Sequence, residues 1–498
     1  MHFIYILLNF YAILNIVFHI LAFTNSTSDL QTVPLLLSFS FKRPTHNNQN
    51  HSEFSTFTHS VILNTTAHLN SSFISPQQNN NIVSTHLLFF SPDVHDGTTT
   101  DLAVSLTSQG HSIFFYNGKA ALPAYSGLRS KTLRELQYLQ LNDADKKSRI
   151  IFAPKAICKK SKLFAYNMNS VRRIWSIFHN DKLFRRVDAI ICMFYPSECQ
   201  NYLAFNKTVI FMPAHRFLIN RCTLEDSKSL MKWMFSQRKA PVIVMAAGKY
   251  DAEYINYYSG QKVNYIYAST VLMYSPPSLY SPKTHNYLFA PFKKNPFYKH
   301  YSQLIFKTCK SYNYYCPIVN IRKRNKKYFT YSDINSFKAV VVFPYAVLSY
   351  YLADLVTAAI PMFVPSPSFI VENKIGNDMK ARDSFYCGKR FQEPPKHPQS
   401  NHFYSPEDYS KEATEYWLQY ASYYTPCTIV FNNITHLVKL MKTTNYSDVY
   451  QCNLRYRKQI VNHNNMQWEA LFRKIEVNRP MPETVDKALK WFGETSFY

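Results

Sequence analysis

The chain has 498 residues, 46% of them hydrophobic, which is enough for two or more domains each with its own core. Lys and Arg outnumber Asp and Glu 56 to 31, for a formal charge of +25. That excess suits a polyanion such as nucleic acid, anionic lipid or a phosphate-bearing ligand. A bias toward codons for Lys, Asn, Tyr, Phe and Ile produces the same excess, so charge alone assigns no function. The sequence excludes a multi-span membrane protein, because no stretch after residue 23 holds 18 unbroken apolar residues.

Residues 3–23, FIYILLNFYAILNIVFHILAF, have the length of a membrane-crossing helix, about 20 residues. Two readings compete: an uncleaved signal anchor, or a signal peptide cut near Ala22–Thr24, where small residues sit. The run is long for a cleaved segment, which favours the anchor and a single-pass type II protein of the Golgi or ER membrane with a luminal body. Secretion after cleavage is the alternative. Seven Asn-x-Ser/Thr sequons agree with a luminal fate: Asn25, Asn50, Asn64, Asn70, Asn206, Asn433 and Asn445. Nine cysteines lie between Cys158 and Cys452, and in an oxidising lumen most are expected to pair. Cys309 and Cys316 flank a Tyr-rich segment suited to a local bridge. Cys192, inside the apolar run AIICMF, reads as a buried free thiol. No cysteine pair has zinc-site spacing with histidine partners, so no metal is expected.

Residues 24–85 are rich in Ser, Thr, Asn and His, apart from VPLLLSFSF, and read as a low-order stem. The folded body begins at residue 86. HLLFFSP is a buried strand, DVHDGTTT a polar loop, DLAVSLTSQGH a helix and SIFFY a second strand. In a doubly wound sheet the loop after the first strand lies at the ligand-binding edge. It offers Asp93, His95, Asp96, Gly97 and Thr98. Helix capping explains one or two of these, but not His95 beside Asp96. RIIFAP, VDAIICMF, KTVIFMPAH, APVIVMAAG and VNYIYAST continue the series, alternating with helical stretches such as SVRRIWSIF. Such short Val/Ile-rich runs are those of a parallel sheet covered on both faces. SPPSLYSPKTH, residues 275–285, is a candidate linker. NYLFAPF, PIVNIR, VVVFP and PMFVPS then form a second series. The expected fold class is α/β, with two Rossmann-like domains and a central cleft. The expected division is 1–23 anchor or signal, 24–85 stem, 86–275 first domain, 276–475 second domain and 476–498 tail.

The stretch VVVFP, a helix ending in ADLVTAAI, then PMFVPS resembles the donor-binding segment of GT-B-fold glycosyltransferases. An acid there lies seven residues before the proline that opens the next strand, as Asp354 does before Pro361. The family commonly has Glu, and Gly two before the proline; this chain has Asp354 and Ala359. HDGTTTDLAVSLTSQGHSIFFY resembles the family's acceptor-facing loop and helix. MPAHRF, AGKYDAEYINYYSG and SKEATEYWLQYASYYTPCTIVF are similar to segments of a little-characterised eukaryotic group of GT-B-like proteins. The resemblance spans most of residues 86–475. It implies that Asp354 holds the hydroxyls of a UDP- or GDP-linked sugar and that the Ser349 region turns helix N–H groups toward phosphate. Lys293 and Lys294 fall where the family keeps phosphate-binding cations. By its own placement Tyr345 can stack on a base or sugar, and Arg322 is an alternative cation. The acceptor-side candidates are Asp93, Thr98, His215, Arg216 and Asp251, with Asp96 or His95 as the base that takes the acceptor proton. His215 could itself be a base, and Arg216 could offset phosphate charge or make a loop salt bridge.

The reaction expected is metal-independent transfer of a hexosyl-type sugar to a luminal glycan or protein, with no cofactor beyond the donor. Asp143-Ala144-Asp145 matches a metal-binding DxD, but it follows a helix rather than a buried strand and receives no role. The alternative is an inactive GT-B-like protein that binds glycan or heparin. The luminal signal disfavours nucleic acid as a partner.

Overall fold

The computed structural model describes residues 37–40, 58–61, 86–93, 96–115, 149–152, 168–193, 196–214, 216–218, 221–235, 242–268, 280–290, 296–319, 334–344, 346–347, 350–375, 391–408, 410–484 and 486–487. The chain divides into two compact units, Met1–Ser84 and Thr85–Tyr498. In the first unit, β1 (Leu37–Ser40), within the VPLLLSFSF exception of the expected stem, pairs antiparallel with β2 (Thr58–Val61). The expected membrane segment, residues 3–23, lies outside the described residues. Among those described, no helix is long and apolar enough to cross a membrane.

In the second unit the chain runs β3 (Leu88–Ser91), α1 (Asp96–Ser108), β4 (Ser112–Phe115), β5 (Ile150–Phe152), α2 (Met168–Phe178), α3 (Lys182–Arg185) and β6 (Ala189–Cys192). A 3-10 helix, Pro196–Phe205, leads to β7 (Thr208–Phe211), α4 (Leu224–Phe235), β8 (Val242–Ala246), α5 (Lys249–Ser259) and β9 (Asn264–Tyr265). The second series is β10 (Tyr287–Ala290), α6 (Pro296–Ser311), β11 (Ile318–Val319), β12 (Ala339–Val342), α7 (Tyr350–Thr357), β13 (Met362–Pro365) and α8 (Pro367–Glu372). It closes with α9 (Lys411–Leu418), β14 (Ile429–Phe431), α10 (Ile434–Thr443) and α11 (Tyr446–Phe472).

These strands make two wholly parallel sheets, in the orders β5-β4-β3-β6-β7-β8-β9 and β11-β10-β12-β13-β14. Each winds outward, returns past its first strand and winds the other way. The winding reverses between β3 and β6 in the first sheet, and between β10 and β12 in the second. The central strands are buried at every residue, as their unbroken apolar runs require once helices cover both faces. Helix α2 shows how the cover is made: Val171, Ile174, Trp175 and Phe178 are buried at helical spacing, while Arg172, Arg173 and Ser176 are exposed.

Helix α11, about 40 Å long at 1.5 Å per residue, packs against both sheets. Near its start Asn453 Nδ2 donates to the carbonyls of Ala359 (3.2 Å) and Ile360 (3.1 Å). Near its end Asn464 accepts from Tyr267 N–H and donates to Tyr267 O, both at 2.9 Å, and Trp468 and Leu471 enter the core of the first sheet. Residues 476–480, expected as the start of a tail, are pinned to that sheet. Arg479 donates to Asn206 O (3.1 Å) and Oδ1 (2.9 Å), Asn206 Nδ2 donates to Pro480 O, and Lys207 Nζ to Arg479 O.

Cys309 and Cys316 are disulfide-bonded, as their spacing suggested. The expectation for Cys192 is corrected: it is bridged to Cys199, with the Cα atoms 5.9 Å apart. The 3-10 helix doubles back under the end of β6, so that seven residues of separation close a tight loop. Cys427 and Cys452 form a third bridge.

Two local features carry predictions. Ala359 has φ +59°, in the left-handed region that costs an L-residue with a Cβ about 1–2 kcal/mol. This is the position where the resembled family has glycine. Ala359→Gly is expected to stabilise by about 0.5–1 kcal/mol, read as a small rise in thermal midpoint. His111 is buried, accepts from Leu87 N–H at 3.3 Å and stacks edge-on against Phe472 at 4.3 Å. Burial, with the nearby charges of His86 and Arg149, lowers its pKa from 6.5 to about 4. The unfolded chain therefore takes up this proton first, and stability is lost as pH falls from 6.5 toward 4. Thermal melts across that window should show His111→Asn to be less acid-sensitive than the parent, by about 1–3 kcal/mol at the acid end.

Candidate active site

In parallel sheets of this kind, ligands sit outside the carboxyl ends of the strands where the winding reverses. Helix α1 follows β3 and helix α7 follows β12, so each starts at the reversal point of its own sheet. The two starts meet. A Cβ placed on Gly97, in the first turn of α1, would lie 2.8 Å from Tyr350 Cγ, in the first turn of α7. Only glycine admits that ring, so Gly97 fixes how closely the two reversal points approach.

Around this contact the first sheet gathers carboxylates. Asp93, just past β3, accepts from Met193 N–H at 2.9 Å and so ties the ends of β3 and β6 across the reversal point. Asp101 lies one turn into α1 from Gly97 and accepts from Ser105 Oγ at 3.2 Å. Asp251 stands in the first turn of α5, after β8. All three are at most 3% exposed. The Tyr350 phenol is held far above its usual pKa, first by burial and then by the charges of Asp101, Asp93 and Asp251. It therefore stays protonated, a hydrogen-bond donor among acceptors.

Asp354 is half-buried on α7. Four residues after Tyr350, it shares the face of α7 that carries the Gly97 contact. Ala358, four further on, belongs to the core beneath the first sheet. The Asp354 side of α7 is thus the side that packs toward the first sheet.

Of the other expected site residues, Thr98 is fully buried in the first turn of α1. Asp96 opens that helix, and its side chain lies outside the described residues. His95, His215, Lys293, Lys294, Arg322, Tyr345 and Ser349 also lie outside them, as does the segment Asp143–Asp145. Arg216, an acceptor-side candidate suited either to phosphate charge or to a loop salt bridge, makes the salt bridge: its guanidinium donates to both carboxylate oxygens of Glu407, at 3.0 and 3.1 Å, and lies over the rings of Tyr250 and Tyr254. Tyr254 donates to the same carboxylate at 2.9 Å. Nearby, Tyr258 and Ser405 donate to Glu393, and His402 bonds Glu253 and Tyr416. Residues 391–408, which follow the second sheet's α8 in sequence, are thereby strapped onto α5 of the first.

The sequence reading missed Asp101, Tyr350 and Glu407. Asp101 had a signal of the kind that marked Asp354, being a single acid past the first turn of a helix otherwise built of Thr, Ser, Leu, Val and Ala. An opening lies on the second sheet's helical layer. It is a groove of about 600 Å³ between α6, α8 and α10, lined by residues that include His300, Tyr301, Leu304, Phe369 and Asn433. None of its lining residues comes from α7 or from the first sheet. Among the described residues no cluster of His, Cys, Asp and Glu is arranged to hold a metal ion.

No protein-family model and no curated protein sequence matches the chain. Among solved structures, the glycosyltransferase SnogD from Streptomyces nogalater is similar over 82% of this chain and 99% of its own, at 9% identity and a TM-score of 0.34. The spinosyn rhamnosyltransferase SpnG, complexed with thymidine diphosphate, is similar over 81% and 99%, at 7% identity and a TM-score of 0.35. AviGT4, a glycosyltransferase of avilamycin A biosynthesis, is similar over 76% and 98%, at 10% identity and a TM-score of 0.27. In architecture the chain resembles the GT-B fold. The two parallel sheets, their meeting reversal points and the helix that spans them carry that likeness.

Proposed function

We propose that the protein transfers a glycosyl group from a nucleoside-diphosphate sugar, held against α7 of the second sheet, to a hydroxyl of a glycan or protein acceptor at the first. The observation that carries this reading is the meeting of the two reversal points at Gly97 and Tyr350, with Asp354 on the same face of α7. A sugar is a ring of hydroxyl donors. This meeting point answers it with carboxylates, whose charge-assisted hydrogen bonds are stronger than neutral ones.

In this reading Asp354 takes sugar or ribose hydroxyls. The start of α7 near Ser349, with Lys293, Lys294 or Arg322, spreads the charge of the departing diphosphate. Tyr345 stacks on the base or sugar. The acceptor oxygen bonds to the anomeric carbon as the bond to the diphosphate oxygen breaks, and Asp96 or His95 takes the acceptor proton. Asp93, Thr98, Asp251 and, we add, Asp101 shape the acceptor side, with His215 beside them. Metal independence and a hexosyl donor linked to UDP or GDP belong to the same proposal. The thymidine diphosphate held by SpnG adds TDP-sugars to the set to be tested.

A luminal location, with residues 3–23 as the anchor, is also part of the reading. Three disulfides among the described residues support it, because such bridges persist in oxidising compartments. The test is a panel of UDP-, GDP- and TDP-sugars scored by thermal shift on the purified full chain. A bound donor at 100 times its Kd adds about 2.7 kcal/mol of stability, so one sugar nucleotide should raise the midpoint by several degrees. If no member of the panel does so, the donor site is not there.

A further inference from the structure

Three sequons fall on described residues, and the fold treats them differently. Asn206 is buried, with φ +54°. Its amide nitrogen donates to Pro480 O at 2.9 Å and its side-chain oxygen accepts from Arg479 at 2.9 Å. A sugar on that nitrogen would displace the segment that closes over β7. Asn445 is exposed at the start of α11, but its amide donates to Asp448 at 2.8 Å. Asn433 is the N-cap of α10: its Oδ1 accepts from His436 N–H at 2.7 Å, which leaves the exposed amide nitrogen to point outward. It also stands on the wall of the 600 Å³ groove, beside His300, Tyr301 and Leu304.

We propose that Asn433 carries an N-linked oligosaccharide whose first sugars lie along the groove between α6, α8 and α10, whereas Asn206 in the folded protein stays bare. The inference rests on the luminal part of the reading above, not on catalysis. The co-reactant is an oligosaccharide joined to a lipid diphosphate. The Asn433 amide nitrogen forms a bond to its anomeric carbon, the carbon–oxygen bond to the diphosphate breaks, the nitrogen gives up a proton and the lipid diphosphate leaves. The cap survives this step, because only Oδ1 serves the helix. The groove is within the range, about 300–1,000 Å³, that encloses a small ligand. Leu304, 38% exposed on its rim, gives the sugar's apolar face a surface to cover.

The test is expression of the full chain in a eukaryotic secretory host, glycopeptide mass spectrometry, and diethyl pyrocarbonate labelling of His300. Thr435→Ala removes the sequon and keeps the Asn433 cap; Thr435→Ser keeps both. The expected result is glycan on Asn433 and none on Asn206. His300 should label about threefold faster in Thr435→Ala than in Thr435→Ser, because a bulky surface glycan shields what it covers. A bare Asn433 overturns the proposal, whether or not other sequons are filled. So does a glycan on Asn206 in the folded protein. Equal His300 labelling in the two variants removes the groove as the glycan's seat. None of these readouts depends on sugar transfer by the protein, so the proposal fails or stands separately from the enzymatic reading.

Discussion

Glu407→Ala should lower the thermal midpoint by about 3–6 °C, a large loss for a single change outside the hydrophobic cores. Glu407 is 9% exposed and Arg216 5% exposed, and the pair joins residues 191 positions apart. Removing the carboxylate leaves the guanidinium enclosed over the Tyr250 and Tyr254 rings without this counter-charge, and takes the acceptor from the Tyr254 hydroxyl. Breaking a buried ion pair from one side typically costs about 3–5 kcal/mol. Replacing both partners with apolar residues of similar volume is often close to neutral. Arg216→Met with Glu407→Leu should therefore recover most of the loss, and that recovery separates a charge effect from a general loss of packing. A midpoint shift below about 2 °C for Glu407→Ala would mean that the strap at residues 391–408 is not held by this pair.

Asp354→Asn should leave stability within about 1 °C of the parent and lower donor turnover, or donor-induced thermal shift, by the equivalent of about tenfold to 100-fold. The side chain is half-buried, so the isosteric amide removes charge without opening a cavity. Hydrogen bonds to a charged group are worth about 1.5–3 kcal/mol, and each 1.4 kcal/mol is tenfold. The matching change at Asp448, exposed at the start of α11, is the control for charge alone. A donor response that survives Asp354→Asn intact would take this carboxylate out of the donor site.

The parts of the fold that could be read in the sequence are those written locally. AVVV, AIIC and TVIF announce parallel strands because nothing in them points to solvent. Their alternation with amphipathic helices such as α2 implies a doubly wound sheet. Asp354 stood out for the same reason, as a lone charge on an apolar helix. What escaped is what depends on return paths through space. Cys192 looked like a core thiol because the doubling back of the 3-10 helix leaves no mark in AIICMF. Arg216 could be read for phosphate or for a salt bridge, because its partner Glu407 arrives from the connection between α8 and α9, 191 positions away. Tyr350 was one tyrosine among 38, and only the absence of a side chain at Gly97 shows what it presses against.

Helix α11 is gripped twice, at Asn453 by the turn before β13 and at Asn464 by the strand end at Tyr267, 11 residues apart. With one stiff rod clamped to both halves, separation along the rod is ruled out, since it would break one clamp or the other. The strap at residues 391–408 is a further tie that does not lie on the rod, so turning the halves about the rod would have to break the Arg216–Glu407 pair. The two halves are braced against each other at several points rather than hinged at one.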